Sequence, residues 1–322
     1  MLRRRLLLVI VAAVAAGFGG DGTQAQTWPQ KPVRIVVPYA AGGNSDGMAR
    51  ITAQRLTEAF GHSFVIENRL GANGAIATEA VAHAPGDGYT LLWGATPPIT
   101  INPAMTKVNY DPVKDFAPIT VVGVNGFVLL VNQNFPPKTV AEFISYVRSH
   151  PRLPYAEGSA GSLTHLSMAL FAKRAGLDMI NVSYRGNAPA LSDVVAGHLQ
   201  TMFSNVSDAI PQASSGTVRL LGVSSEKRAP QIPDVPTIAE SGFPGFNVLT
   251  WNGLMAPAGT PKEIVNKIAG EMGRAAKDPQ FGGRVQQYGS DPLSNTPEEF
   301  AALIAADLAV WSEVITSTGL KF

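Results

Sequence analysis

The chain has no cysteine. That excludes disulfides, thiolate metal sites and a thiol nucleophile, and it leaves no lipid-modified cysteine to act as a tether. Stability has to come from an apolar core, which 322 residues with 45% hydrophobic content can build. An excess of one charge is also missing: beyond residue 25 there are 22 basic and 23 acidic residues. With no global field, and no Lys/Arg run outside the first few residues, neither nucleic acid nor an anionic membrane is an expected partner. Histidine is scarce, and His62, His83, His150, His165 and His198 are at least 15 residues apart, so local spacing writes no metal site. No metal and no cofactor are expected. No apolar run reaches the ~20 residues needed to cross a bilayer. The run that comes nearest, Leu6 to Phe18, follows Arg3, Arg4 and Arg5 and leads into small residues and Thr23-Gln24-Ala25. This order reads as a secretory signal over residues 1–25, cut after Ala25, with an uncleaved anchor as the alternative.

What is present is alternation. Val33 to Val37, Phe64 to Ile66 and Thr90 to Trp93 are short β-branched or apolar runs bounded by Gly, Pro or Asn, and they predict strands. Between them, Ala49, Ala53, Leu56 and Phe60, and then Ile76, Ala77, Ala80, Val81 and Ala84, recur at helical spacing. Strand, helix, strand at this interval implies parallel pairing with right-handed crossovers. The pattern continues through strands at Phe127 to Val131, Met179 to Tyr184, near Met202 and Val218 to Val223, with helices near 139–149, after Thr164 and from Pro189. Phe246 to Ala256 and helices from Pro261 and Pro297 close the chain. Phe116 to Val131 and Val218 to Ser225 are the natural crossings between two domains.

In a parallel sheet, ligands settle at strand C-termini, where helix N-termini present unpaired N–H groups. The turn Tyr39 to Asp46 is such a place. Gly42 and Gly43 allow close backbone approach, Asn44, Ser45 or Asp46 can cap the helix, and the open amides favour an anion. Gly71 to Gly74, Gly158 to His165 and Tyr184 to Asn187 are built similarly, and any one of them alone is equally an ordinary capping turn. Hydrogen bonds to a charged group contribute roughly 1.5–3 kcal/mol each, and micromolar affinity needs about 8 kcal/mol. Four or five donors from two facing turns suffice without an arginine clamp. Arg185 is either such a clamp or a solvated side chain, Trp251 is either a cleft wall or a core aromatic, and Asn205 is either a donor or a turn former.

Enzyme motifs fail one at a time. Gly43 is followed by Asn44-Ser45 rather than Lys-Ser/Thr, the G-x-G-x-x-G spacing is absent there, and Ser159 has Glu157 two positions earlier where a hydrolase elbow needs Gly. No enzymatic activity is expected. The rival reading is an exported hydrolase or lyase using His165 and Asp46.

The segments WPQKPVRIVVPYAAGGNSDGMAR, VIENRLGANG, GDGYTLLWG, INPAM, YDPVKDFAPI, INVSYRGNAPALSDVVAGH, VSSEKRAPQIPDVPTIAESGFPGF and WNGLMAPAGTP resemble, in order and spacing, the Bug family, the solute-binding proteins of tripartite tricarboxylate transporters. The resemblance implies an α/β, two-lobe periplasmic-binding-protein fold (type II-like), a Venus flytrap with two crossing segments. Lobe 1 would be residues 26–124 plus 226–322, and lobe 2 residues 125–225. It implies a periplasmic monomer that binds a small carboxylate and hands it to a membrane permease with one large and one small subunit, or an orphan receptor for a membrane kinase. Carried over, the ligand residues are Tyr39, Ala40, Gly43, Asn44, Ser45 and Asp46, then Gly161, Ser162, Thr164 and His165, with Thr96 and Asn205 flanking. Two departures stand out: Glu157-Gly158-Ser159 where the family has Ser-Ala-Gly or Ser-Pro-Gly, and Ser204 where it has Asp. An acid before Asn205 would pair with a ligand ammonium, so its absence favours a dicarboxylate or an aromatic acid.

Overall fold

The computed structural model describes residues 28–159, 161–184 and 186–318. The expected signal segment and Arg185 lie outside the described residues. The described residues from 31 to 318 form one compact unit.

Its first part is the expected parallel arrangement. β1 (Val33–Val37), β2 (Phe64–Asn68) and β3 (Thr90–Ala95) pair in parallel in the order β2-β1-β3. The β-branched residues of β1 are buried on both faces, as a strand flanked by strands and covered by helices requires. α1 (Asn44–Phe60) and α2 (Ala75–Ala82) are the crossovers. Met48, Ala49, Ala53 and Leu56 bury one stripe of α1, and Gly61 ends it in the left-handed region, its N–H donating to Thr57 O.

β4 (Phe116–Asn132) is a single 17-residue strand that serves two sets of partners. Over Phe116–Gly126 it pairs antiparallel with β9 (Leu249–Pro257), which in turn pairs with β3; from Phe127 onward it pairs with β7 (Thr201–Asn205) and β8 (Val218–Val223). β7 pairs with β5 (Leu153–Glu157), and β5 with β6 (Met179–Ser183), both in parallel. The result is one curled mixed sheet whose order is β2-β1-β3-β9-β4-β7-β5-β6. α3 (Val140–Ser149), α4 (Leu163–Ala175), α5 (Asn187–Val195) and α6 (Val206–Ser214) serve the second part; α7 (Lys262–Ala275), α8 (Pro279–Gln287), the two-residue β10 (Asp291–Pro292) and α9 (Pro297–Thr318) follow. The sequence pattern does not predict α6, which contains Pro211, or α8, which has two consecutive glycines.

Two apolar clusters flank the junction on β4. Val36, Leu92, Trp251 and Phe300 belong to one, and Phe127, Phe143, Phe171, Phe203 and Phe246 to the other. Phe171 lies 5.4–6.4 Å from the rings of Phe143, Phe203, Phe243 and Phe246, contacts that contribute about 0.5–1.5 kcal/mol each beyond area burial. α9 ties the clusters together, with Phe300 and Ile304 in the first and Trp311, Val314 and Ile315 in the second.

Candidate functional site

A cavity of about 630 Å³ opens where strand ends and helix starts from both halves of the sheet meet. The β1–α1 turn contributes Tyr39, Ala40, Gly43, Asn44 and Ser45; the start of α5 contributes Gly186 and Asn187; the start of α6 contributes Asn205, Ser207 and Asp208. Ala95 at the end of β3, with Asn125 of β4 and Thr250 and Asn252 of β9, complete the wall. Three helices therefore begin at one cavity. None of the three has a side chain accepting from its first-turn N–H groups, since the N-caps are Gly43, Gly186 and Asn205 without a side-chain cap bond. Those amides and the aligned helix dipoles make the cavity a site for negative charge. No Lys or Arg is among its described lining residues.

The α1 end is held rigidly. The buried Trp93 indole donates to Ser45 Oγ at 2.9 Å, and Ser45 Oγ donates to Asn252 Oδ1 at 2.7 Å. Asn44 Nδ2 bonds Tyr288 O and lies 3.3 Å from Ser290 Oγ, which donates to Asn125 Oδ1 at 2.9 Å. Asp46 does not line the cavity. Its carboxylate accepts from Gly42 N–H (2.9 Å), Arg50 Nε (2.8 Å) and Asn68 Nδ2 (2.8 Å), so it fixes the turn from behind. Burial opposes its charge, but those hydrogen bonds and the Arg50 guanidinium prevail and hold the carboxyl below the usual range. Burial, with Tyr110 adding to it, pushes the Tyr39 phenol up, so Tyr39 stays a neutral donor.

The turn Gly161 to His165 does not line the cavity, and several of its polar groups bond one another. Ser162 Oγ caps α4 by accepting from His165 N–H at 3.3 Å and lies 2.9 Å from Thr164 Oγ1, which accepts from Gly158 N–H at 3.2 Å. His165 is buried, its Nδ1 3.1 Å from Gly161 N and 2.9 Å from Glu157 Oε2. Glu157, one of the departures from the family pattern, thus lies against that imidazole. The turn reaches the cavity wall indirectly, because Gly186 N–H donates to Gly158 O at 2.6 Å and a Cβ on Gly158 would lie 3.1 Å from Asn187 N. Thr96 is buried and accepts from Trp251 N–H at 2.9 Å. Trp251 itself packs edge-on against Phe300 at 5.0 Å and lines a different cavity with Asp307. Of the expected residues, Tyr39, Ala40, Gly43, Asn44, Ser45 and Asn205 come together at the cavity.

Asn125, Asn187, Asp208, Thr250 and Asn252 are additions to that set. A signal for two of them exists: in a strand, Thr250 and Asn252 must face away from Trp251. Asn187 and Asp208 carry only the marks of ordinary helix starts.

A curled α/β sheet with a polar cavity at its strand ends, ringed by helix N-termini from both halves, is the architecture of a two-lobed periplasmic binding protein. Residues 48–320 match the family described as the tripartite tricarboxylate transporter family receptor (TctC), and the chain belongs to it. It is 31% identical to BugT of Bordetella pertussis over 98% of each chain. Among solved structures, R. palustris Rpa4515 with adipate has a TM-score of 0.81 at 36% identity, over 92% of this chain and 99% of that one. MatC from Rhodopseudomonas palustris with bound malate has a TM-score of 0.76 at 35% identity, over 89% of this chain and 100% of that one. Among the described residues no group of three or more His, Asp or Glu side chains is placed to hold a metal ion, and no helix is long and apolar enough to cross a membrane.

Proposed function

We propose that the chain is a periplasmic receptor that captures a small organic carboxylate between two lobes and carries out no chemistry on it. The observation that supports this is the convergence of three helix N-termini, none side-chain capped, on one 630 Å³ cavity. The lobes are residues 26–124 with 226–322, and residues 125–225, the change of partners along β4 at Gly126 and Phe127 supporting that division. Residues 1–25 direct export and are cleaved from the mature chain. Closure brings Gly43, Asn44 and Ser45 from one lobe and Asn187 and Asn205 from the other onto the same guest. The adipate and malate bound in two similar structures support a guest of four to six carbons. Release is to a permease of one large and one small subunit. The rival reading, turnover by His165 and Asp46, lacks support, because Asp46 is committed to Arg50 and Asn68 and His165 lies against Glu157.

The test is a thermal-shift screen of mono-, di- and tricarboxylates followed by calorimetry, since a ligand bound only by the folded state raises the unfolding midpoint with concentration over Kd. Saturable binding at 1:1, with the carboxylate recovered unchanged, is the expected result. Conversion of the carboxylate, abolished in His165→Ala, would replace the receptor reading with the enzyme one.

A further inference from the structure

Between α8 and β10 runs a short strap, Tyr288 to Ser290, that does not line the cavity but is bonded to residues that do. Tyr288 O accepts from Asn44 Nδ2, Gly289 O accepts from Asn125 Nδ2 at 2.9 Å, and Ser290 Oγ donates to Asn125 Oδ1 at 2.9 Å. The Tyr288 ring rests on α1 where Gly47 leaves room for it: a Cβ on Gly47 would stand 2.6 Å from Tyr288 Cδ1 and nearer still to the ring edge. These attachments hold the strap to α1 and β4. Its other side meets α6. Gly289 has φ +70°, in the left-handed region, and an added Cβ would collide with Ser207 Cβ and lie 2.8 Å from Ser207 Oγ and 3.2 Å from Ser207 Cα. Ser207 is the second residue of α6. Its Cα and Cβ cannot swing aside as the tip of a long side chain can, so only main-chain movement would relieve the overlap.

We propose that Gly289 is the stop between the lobes: its bare Cα seats against Ser207, and this contact sets how close the start of α6 comes to the start of α1 around the guest. The proposal rests on the two-lobe receptor reading above and adds to it a positioning residue that does not line the cavity. The strap belongs to residues 226–322 and Ser207 to residues 125–225, so the contact spans the two lobes. A side chain at position 289 would hold the carbon atoms apart at the ordinary contact distance of roughly 3.5–4.0 Å. The α6 donors would then stand back from a guest seated on α1, and an N–H···O bond is lost once the atoms separate much beyond about 3.2 Å. Because Asn44 of the ligand turn donates to Tyr288 O, a displaced strap also pulls on the α1 side of the cavity.

A double-mutant cycle tests this, read by calorimetry with adipate, malate and the tightest carboxylate of the screen. Gly289→Ala should weaken binding about tenfold or more, and Gly289→Ala combined with Ser207→Gly should recover most of that loss. Left-handed strain at position 289 is the same in both proteins, so the ligand-free unfolding midpoint should fall in each, while affinity returns only where the Ser207 Cβ is gone. Gly289→Asn, which tolerates the left-handed region better, is the second variant should alanine prevent folding. The absence of native cysteine allows spin labels at Ala59→Cys and Ser192→Cys, exposed positions on α1 and α5. Without ligand, Gly289→Asn should lose the shortest label-to-label distances of the wild-type distribution, and Ser207→Gly should restore them. Unchanged affinity and distances in the Gly289 variants, or a loss that Ser207→Gly does not reverse, would overturn the proposal and leave the receptor reading standing. If no carboxylate of the screen binds, the receptor reading falls, and the ligand-free distances alone decide for or against the stop.

Discussion

Trp93 Nε1 lies 2.9 Å from Ser45 Oγ and 3.2 Å from Asn252 Oδ1, so one buried indole N–H anchors both the start of α1 and the middle of β9. Ser45 passes its own proton on to Asn252 at 2.7 Å. The floor of the cavity is therefore set by the hydrophobic core, in which the Trp93 ring is fully buried. A site built in this way is preorganised, and its donors do not have to be ordered when the guest arrives.

Ser45→Ala removes the middle of that relay. Trp93 keeps the longer bond to Asn252, so the stability loss should stay near 1 kcal/mol, the net value of one ordinary hydrogen bond. Affinity for the tightest carboxylate should fall about tenfold, which corresponds to about 1.4 kcal/mol. Urea unfolding and calorimetry on the same variant check the two numbers.

Gly43→Val separates binding from folding. The backbone at Gly43 is extended (φ −81°, ψ 173°), and an added Cβ meets only Ala40 O at 3.8 Å, so the fold should lose no more than about 0.5 kcal/mol. The branched side chain projects from a lining residue, and affinity should drop at least tenfold. Gly253→Ala is the opposite control: its Cβ would stand 2.6 Å from Thr120 O and 2.9 Å from the Phe300 ring, which should cost about 1–3 kcal/mol of stability. Unchanged binding by Gly43→Val would show that the anion sits elsewhere.

How far the sequence reveals this site depends on the kind of signal each wall carries. The β1–α1 turn is legible because a β-branched run, two glycines and a helix start follow one another, and the strand and both helix ends lie where the pattern puts them. The Gly158 to His165 turn is richer in Gly and hydroxyls, but its Ser162 and Thr164 hydroxyls are engaged by each other, by its own cap and by Gly158. Asn187 and Asp208 look like any helix start. Only the sheet order, which brings the ends of β6 and β7 toward the same cavity, distinguishes them. That order is a tertiary fact with no local signature.

Acid should weaken the cradle through Asp46. A carboxyl held below its ordinary value in the fold stabilises above the unfolded value of about 4 and loses that contribution as pH falls through the folded value. Wild-type stability should thus decline below about pH 4, and Asp46→Asn should show a shallower decline. At neutral pH the same variant should be less stable by about 2 kcal/mol, in the range for a charged hydrogen bond. Chemical unfolding between pH 3 and pH 7 measures both effects. Parallel curves for the two proteins would assign the acid sensitivity to other groups.

Asp307 should behave in the reverse sense. It lies in the second cavity, on the face of β9 that bears Trp251, and accepts from the Trp251 indole at 2.7 Å. Burial raises its pKa, and the indole bond lowers it without restoring the ordinary value. A raised carboxyl contributes stability below its unfolded value of about 4 and loses it as pH rises through the folded value, so ionised Asp307 is a burden at neutral pH. Asp307→Asn keeps an acceptor for the indole and carries no charge. Its stability relative to the wild type should therefore grow as pH is raised from 4 to 7, and carboxylate binding should be unchanged because Asp307 does not line the ligand cavity. A variant that loses stability at pH 7, or loses affinity, would show that the charge at Asp307 supports the junction between β9 and α9.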